Sequence, residues 1–195
     1  MALKDLLRNF DRDVFREPMR DYFSLLEREL ADCRSLLDIG CGASSPLEEL
    51  DRLPPRRTGV ELHRPTAEAA RNRGFYQEVL ETPASAITST FGRGSYDVVT
   101  ALDVIEHLER PDGERLLGAM EHVASRKVIV FTPNGFVPQD DPSNPWLTHL
   151  SGWTVGDFRS RGYEVFGVHG LRRLCGEGSL PRLRPEGLGY RALRA

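Results

Sequence analysis

Three residues in a five-residue span, Asp38, Gly40 and Gly42, sit where a short apolar run, SLLDI (35–39), ends and a helix signal, SSPLEEL, begins. Glycine has no Cβ, so ligand and backbone lie close together there and a positive φ costs little. A carboxylate beside such a turn attracts a cation and repels a pyrophosphate. The dinucleotide fingerprint G-x-G-x-x-G wants a small third residue, glycine or alanine. Here Gly40-Cys41-Gly42-Ala43-Ser44-Ser45 offers serine instead. The turn therefore fits a cationic ligand, whose ammonium Asp38 attracts directly or through water. Glu61 follows 19 residues after Gly42. That is close to the spacing of about 20 at which a carboxylate accepts ribose hydroxyls in nucleotide-binding α/β folds. For this Glu61 need only stay ionised.

The elements that must hold these residues are readable from periodicity. Residues 15–32 carry apolar side chains at spacings of three and four and predict an amphipathic helix. Strands are predicted at 35–39, 57–62, 75–80, 96–102, 126–133, 163–168 and 189–194, and helices at 64–74, 110–123 and 154–161. Ser45 and Glu48 make a capping box with Pro46 at the first helical position, so a helix is expected there too. A short helix and a turn are expected between 82 and 95. Strands alternating with helices imply one α/β domain over 1–195, with a mostly parallel sheet covered on both faces. Residues 1–32 form its N-terminal helical cap. Residues 134–153 hold several prolines and no periodicity, and a loop of that length in a compact domain is functional or mobile.

LLDIGCGASSPLEEL, TGVELHRPTAEAARNRG, YDVVTALDVIEHLERPDGERLLGAM and KVIVFTPNGF resemble, in that order, the successive motifs of class I S-adenosylmethionine-dependent methyltransferases. The likeness is to the branch containing ubiquinone-biosynthesis O-methyltransferases and covers roughly residues 33–135. It implies a Rossmann-like seven-stranded sheet whose last strand is antiparallel, and S-adenosyl-L-methionine as cofactor. By resemblance, Asp38, Gly40, Cys41 and Gly42 embrace the methionine part of the cofactor. Glu61 takes the ribose and Leu62 flanks adenine. Glu81 stands near the adenine amine, although LETPAS departs from the usual Asp-containing pattern. Asp103 and Val104 pass the sulfonium. Cys41 reads as a small filler rather than a nucleophile.

Methyl transfer from a sulfonium leaves the protein to align donor and acceptor and, for a hydroxyl or ammonium acceptor, to remove a proton. His107 is expected either to order the loop after strand four or to act as base. Glu106 is expected chiefly as a hydrogen-bond acceptor. His149 is expected as a surface loop residue or as a substrate contact and base. Asn134 and Trp153 are candidate substrate contacts, Trp153 alternatively being a lid anchor. Asp140 and Asp141 lack further ligands nearby in sequence, and no metal site is expected.

Bulk composition bounds the alternatives. The net charge of -3 gives no general pull toward nucleic acid or anionic membrane. The 170–195 tail, with six arginines against Glu177 and Glu186, is expected to be a solvated edge. Three cysteines without a CxxC pair fit a reducing cytoplasm, and no signal peptide or membrane span is expected. The expected protein is a cytoplasmic enzyme, monomer or homodimer, acting on a small molecule. The competing readings are a cofactor-binding scaffold without turnover and a nucleic-acid or protein methyltransferase. ALDV after strand four is no proline-proline-aromatic tetrapeptide, which argues against amino-directed nucleic-acid methylation.

Overall fold

A computed structural model describes residues 22–140, 142 and 144–168, and the backbone of 189–194. Its sheet has the order β3-β2-β1-β4-β5-β7-β6. β1 (Ser35–Ile39) lies between β2 (Arg56–Glu61) and β4 (Tyr96–Leu102), parallel to both. β3 (Glu78–Glu81) and β5 (Ala124–Pro133) extend the parallel part. β7 (Gly189–Arg194) runs antiparallel to β5 and to β6 (Glu164–Val168). The Rossmann-like α/β class expected from the sequence is the class found.

Side chains alternate across a strand, which splits the core in two. Leu37, Ile39, Val99 and Val130 pack with Leu117 and Met120 of α4 (Arg110–Val123) on one face. Leu36, Val98 and Ile129 pack with Leu26 and Leu30 of α1 (Tyr22–Leu30) on the other. The central strands, buried on both faces, therefore read as nearly unbroken apolar runs. α2 (Arg64–Arg73) closes on Gly74 in the left-handed conformation, as the sequence predicts. α3 (Ile87–Thr90) and α5 (Val155–Ser160) complete the helices.

Two expectations change. The helix after the glycine turn is a single 3₁₀ turn, Pro46–Glu49, although both halves of its capping box form. Leu47 and Leu50 both bury, and their spacing of three is the 3₁₀ period. The chain leaves the turn extended at Leu50, with φ -90° and ψ 136°. β3 begins at Glu78 rather than at 75, because the Tyr76 side chain is drawn into the core beneath β1. Of the N-terminal helix, Tyr22–Leu30 is seen; residues 1–21 and the tail 169–188, with most of its arginines, lie outside the described residues. Cys33 and Cys41 are free thiols, and Cys175 lies outside that range.

α4 contains a glycine that helix propensity would remove. A Cβ on Gly113 would lie 2.4 Å from Trp153 Cζ2 and 3.1 Å from Ile105 Cγ1, whereas one on Gly118 would meet nothing within 4 Å. Gly118→Ala should stabilise by up to about 1 kcal/mol. Gly113→Ala should instead destabilise by about 1–3 kcal/mol through overpacking. Urea midpoints of the two variants measure the opposite signs directly.

Candidate functional site

Register brings the predicted cofactor residues to one edge. Ile39 pairs with Val60 on one side and Ala101 on the other, so Gly40, Glu61 and Leu102 stand level at the carboxyl ends of β1, β2 and β4. Glu81 is in register with Glu61 and exposed. Leu62, next along, is 42% exposed. Asp103 follows β4 with φ +55°, and its N–H donates to the Phe131 carbonyl at 2.9 Å.

The turn itself is built as the glycines require. Gly40 has φ +67° and Gly42 φ +64°. A Cβ on Gly40 would lie 2.6 Å from Val104 Cγ2, so Val104 packs directly on the glycine backbone. Both carboxylate oxygens of Glu61 are oriented by backbone: Gly42 N donates to Oε2 at 3.1 Å and His63 N to Oε1 at 2.8 Å. Cys41 is buried against the Gly59 backbone. Burial, with Asp38 and Glu61 nearby, pushes its thiol far up, which suits a filler and not a nucleophile.

Asp38 lies under the turn, 1% exposed. Ser45 Oγ donates to Oδ2 at 2.9 Å, Tyr76 OH to Oδ2 at 2.5 Å, and Thr100 Oγ1 to Oδ1 at 2.6 Å. Burial raises its pKa while these three donors oppose the rise. The carboxylate thus braces the floor of the turn. Any ammonium near the turn feels its charge from behind the backbone and does not touch it. Sequence patterning could not reveal this cage: Thr100 is Asp38's cross-strand partner, a matter of register, and Tyr76 is 38 residues away.

A second cluster stands at the end of β4. Glu106 and His107 lie on the 3₁₀ turn Ile105–His107. The 134–153 loop folds back onto that turn: Leu150 N and Ser151 N both donate to the Glu106 carbonyl, at 2.8 and 3.0 Å, and Ser151 Oγ donates to the Ile105 carbonyl at 3.3 Å. This strap sets His149 against His107, ring centroids 4.8 Å apart and nearly edge to face. His149 is 9% exposed, not a surface residue. Glu106 is 3% exposed and accepts from Thr132 Oγ1 at 2.9 Å. Burial, and then the Asp103 charge, raise its pKa to about 8. Burial lowers the pKa of His107.

Trp153 takes the anchor role and not the substrate role. It is 1% exposed in the core, its Nε1–H donates to Ser151 Oγ at 3.0 Å, and the Arg110 guanidinium lies 3.8 Å above its ring. No face is left for an acceptor. Asn134 bridges to Trp153 at the start of the loop and is half-buried. Arg110 also donates to the Gly152 carbonyl at 2.8 Å and to Asp157 at 2.6 Å, fastening the loop's far end to α4.

The Arg110 hydrogen bond holds Asp157 at about 2, below the ordinary carboxylate value near 3.9. A depressed folded-state pKa contributes stability above about pH 4, lost as pH falls toward 2. The pair is partly exposed, so the contribution is about 1 kcal/mol after screening. Asp157→Asn should lose that amount at pH 7 and converge on the parent protein near pH 2, as read by urea midpoints across pH.

Against known proteins, residues 37–131 match a family described as a methyltransferase domain. That stretch, just under half of the chain, is a methyltransferase domain similar to those of class I S-adenosylmethionine-dependent methyltransferases. It is 34% identical over 82 residues to a ubiquinone biosynthesis O-methyltransferase of Nitrosococcus oceani, covering 40% of this chain and 34% of that one. It is 32% identical over 129 residues to the mitochondrial enzyme of the same description from Schizosaccharomyces pombe, covering 64% of this chain and 43% of that one. The chain thus spans less than half the length of these two relatives. A SAM-dependent methyltransferase from Archaeoglobus fulgidus shares the fold at a TM-score of 0.59 and 16% identity, over 89% of this chain and 99% of that one. In this methyltransferase domain the matched stretch runs from β1 to β5. It therefore takes in the glycine turn, Glu61, Asp103 and His107, and stops short of the loop that carries His149. Among the described residues no helix is long and apolar enough to cross a membrane.

Proposed function

We propose that this chain binds S-adenosyl-L-methionine at the Gly40–Gly42 turn and transfers its methyl group to an oxygen or nitrogen of a small-molecule acceptor. The observation that carries the reading is Glu61. Its carboxylate is oriented by the Gly42 and His63 amides beside the glycine turn, and each oxygen retains a second lone-pair direction for a ribose hydroxyl. Leu62 and Glu81 at the same edge suit the adenine end, and Asp103–Val104 the sulfonium end. A small-molecule acceptor accords with relatives whose descriptions place them in ubiquinone biosynthesis.

The cofactor brings the activated methyl group, so the residues' task is to align, to exclude water and to handle the acceptor's proton. His107 and His149, with Asn134 near the loop's root, are the acceptor-side groups. Each histidine offers Nδ1 to a backbone carbonyl, so the neutral ring presents its lone pair at Nε2. Residues 1–195 act as a single domain, as monomer or homodimer, with a small molecule rather than a nucleic acid as partner.

Calorimetry with S-adenosylmethionine and S-adenosylhomocysteine tests the binding. Transfer of labelled methyl to a panel of phenolic, alcoholic and amine acceptors tests turnover. Failure to bind either cofactor form ends this reading. Tight binding with no transfer across the panel favours a cofactor-binding scaffold instead.

A further inference from the structure

We propose that Arg110 is the positioning residue of the acceptor side: its guanidinium clamps the closing end of the 134–153 loop to α4 and thereby sets where His149 stands. Three demands meet on that one group. Nη1 donates to the Gly152 carbonyl at 2.8 Å, Nη2 donates to Asp157 Oδ1 at 2.6 Å, and Cζ lies 3.8 Å from the Trp153 ring centroid. Nε adds a longer bond, 3.3 Å, to Glu114 Oε1 one turn along the helix. A planar fork serves a carbonyl and a carboxylate at its rim while its face covers an indole. A lysine ammonium is a point charge on a flexible stem and cannot meet all three at once.

The place of Arg110 in its helix is a second argument. It is the first residue of α4, where the macrodipole is positive and a cation is unfavourable. The Glu109 side chain makes no cap bond there, and Asp112, in the same turn, pairs with Arg115. Local helix chemistry therefore gives no reason for a cation at 110. Its tertiary partners do, and Gly152, Trp153 and Asp157 all belong to the segment that ends the loop and opens α5.

The clamped residues are also those on which the loop closes. Gly135 N donates to the Trp153 carbonyl at 2.6 Å, and a Cβ on Gly152 would lie 2.5 Å from Phe136 N, so the two roots of the loop lie against each other. From the indole a relay of hydrogen bonds runs back to the turn after β4. Trp153 Nε1–H donates to Ser151 Oγ, Ser151 Oγ donates to the Ile105 carbonyl, and the Leu150 and Ser151 amides donate to the Glu106 carbonyl. His149 is the next residue, its ring 4.8 Å from that of His107, centroid to centroid. Arg110 thus holds the strap that carries one histidine from a position three residues beyond the other. That the histidine pair faces a methyl acceptor rests on the methyltransferase reading; the clamp itself does not. Among the described residues, none of these Arg110 contacts is with Glu61 or the glycine turn, so the clamp acts on the acceptor side alone.

The test uses the full chain, with three readouts on the same samples. Hydrogen exchange of the Leu150 and Ser151 amides follows the strap, a nuclear Overhauser cross-peak between the His107 and His149 ring protons follows the pair, and S-adenosylhomocysteine calorimetry follows the cofactor side. Arg110→Lys should speed exchange of both strap amides by about tenfold or more and remove the cross-peak. S-adenosylhomocysteine affinity should stay at the parent value. Asp157→Asn is the control, because it keeps an acceptor for Nη2 and leaves the Gly152 and Trp153 contacts in place. It should lose stability yet keep the cross-peak, with strap exchange within about twofold of the parent. Urea midpoints confirm that both variants fold. A merely structural Arg110 would lower the midpoint and leave the strap amides and the cross-peak as in the parent, and that result overturns the clamp. So does a parent chain without the cross-peak, or an Asp157→Asn protein whose strap loosens as far as that of Arg110→Lys. A parent chain that shows the expected strap behaviour but binds no S-adenosylhomocysteine removes the methyltransferase reading and leaves the clamp standing.

Discussion

Asp38→Ala should destabilise the protein by about 3–5 kcal/mol, since three buried donors left without an acceptor cost about 1–3 kcal/mol each and removing a buried charge returns part of that. Ser45, Tyr76 and Thr100 would each lose their acceptor at a place that water does not reach. At about 2–4 °C per kcal/mol for a chain of this size, the melting temperature should fall by roughly 6–20 °C. Asp38→Asn is the discriminating companion. Its amide oxygen still accepts from Ser45 and Tyr76. Its NH₂ faces Thr100, whose hydroxyl turns toward the Leu37 carbonyl, 3.4 Å away, and accepts in return. The cost should drop to about 1–2 kcal/mol, of the order of one charged hydrogen bond made neutral. Equal losses for Ala and Asn would mean that the negative charge, not the hydrogen-bonded cage, is what the fold needs.

Gly40→Val should abolish measurable S-adenosylhomocysteine binding, weakening it by at least a hundredfold. Two independent penalties meet there. A β-branched residue at φ +67° sits in the left-handed region that L-residues avoid by about 1–2 kcal/mol. Its Cβ also drives into Val104 Cγ2 at 2.6 Å, displacing the loop that borders the turn. Gly42→Ala separates the two: φ is +64°, but the nearest atom to an added Cβ is Ser44 O at 3.6 Å. It should lose only about tenfold, the equivalent of about 1.4 kcal/mol. Calorimetric titration of both variants gives the ratio. A Gly40→Val protein that binds as the parent does would show that the ligand lies elsewhere.

The sequence carries the architecture because the central strands are largely apolar on both faces and several helices have a marked start or stop. Pro46 and Gly74 mark ends that the structure keeps. What sequence could not carry is distance in three dimensions. The capping box at Ser45 forms as expected, yet its helix is a single 3₁₀ turn that buries Leu47 and Leu50. Trp153 looks like an aromatic available to a substrate until Arg110 and the core cover it. His107 and His149, 42 residues apart in sequence, meet only because two loop amides find one carbonyl on the β4 turn. Nothing in the spacing of the two histidines announces that encounter.

That pair of amide bonds has an evolutionary corollary. The loop grips the peptide group of residue 106, and every amino acid supplies the same peptide oxygen. Selection can therefore exchange the side chain at 106 without undoing the clasp. Lineages of this fold have a route to new chemistry at the turn in which the architecture is inherited and the side chain is free to drift.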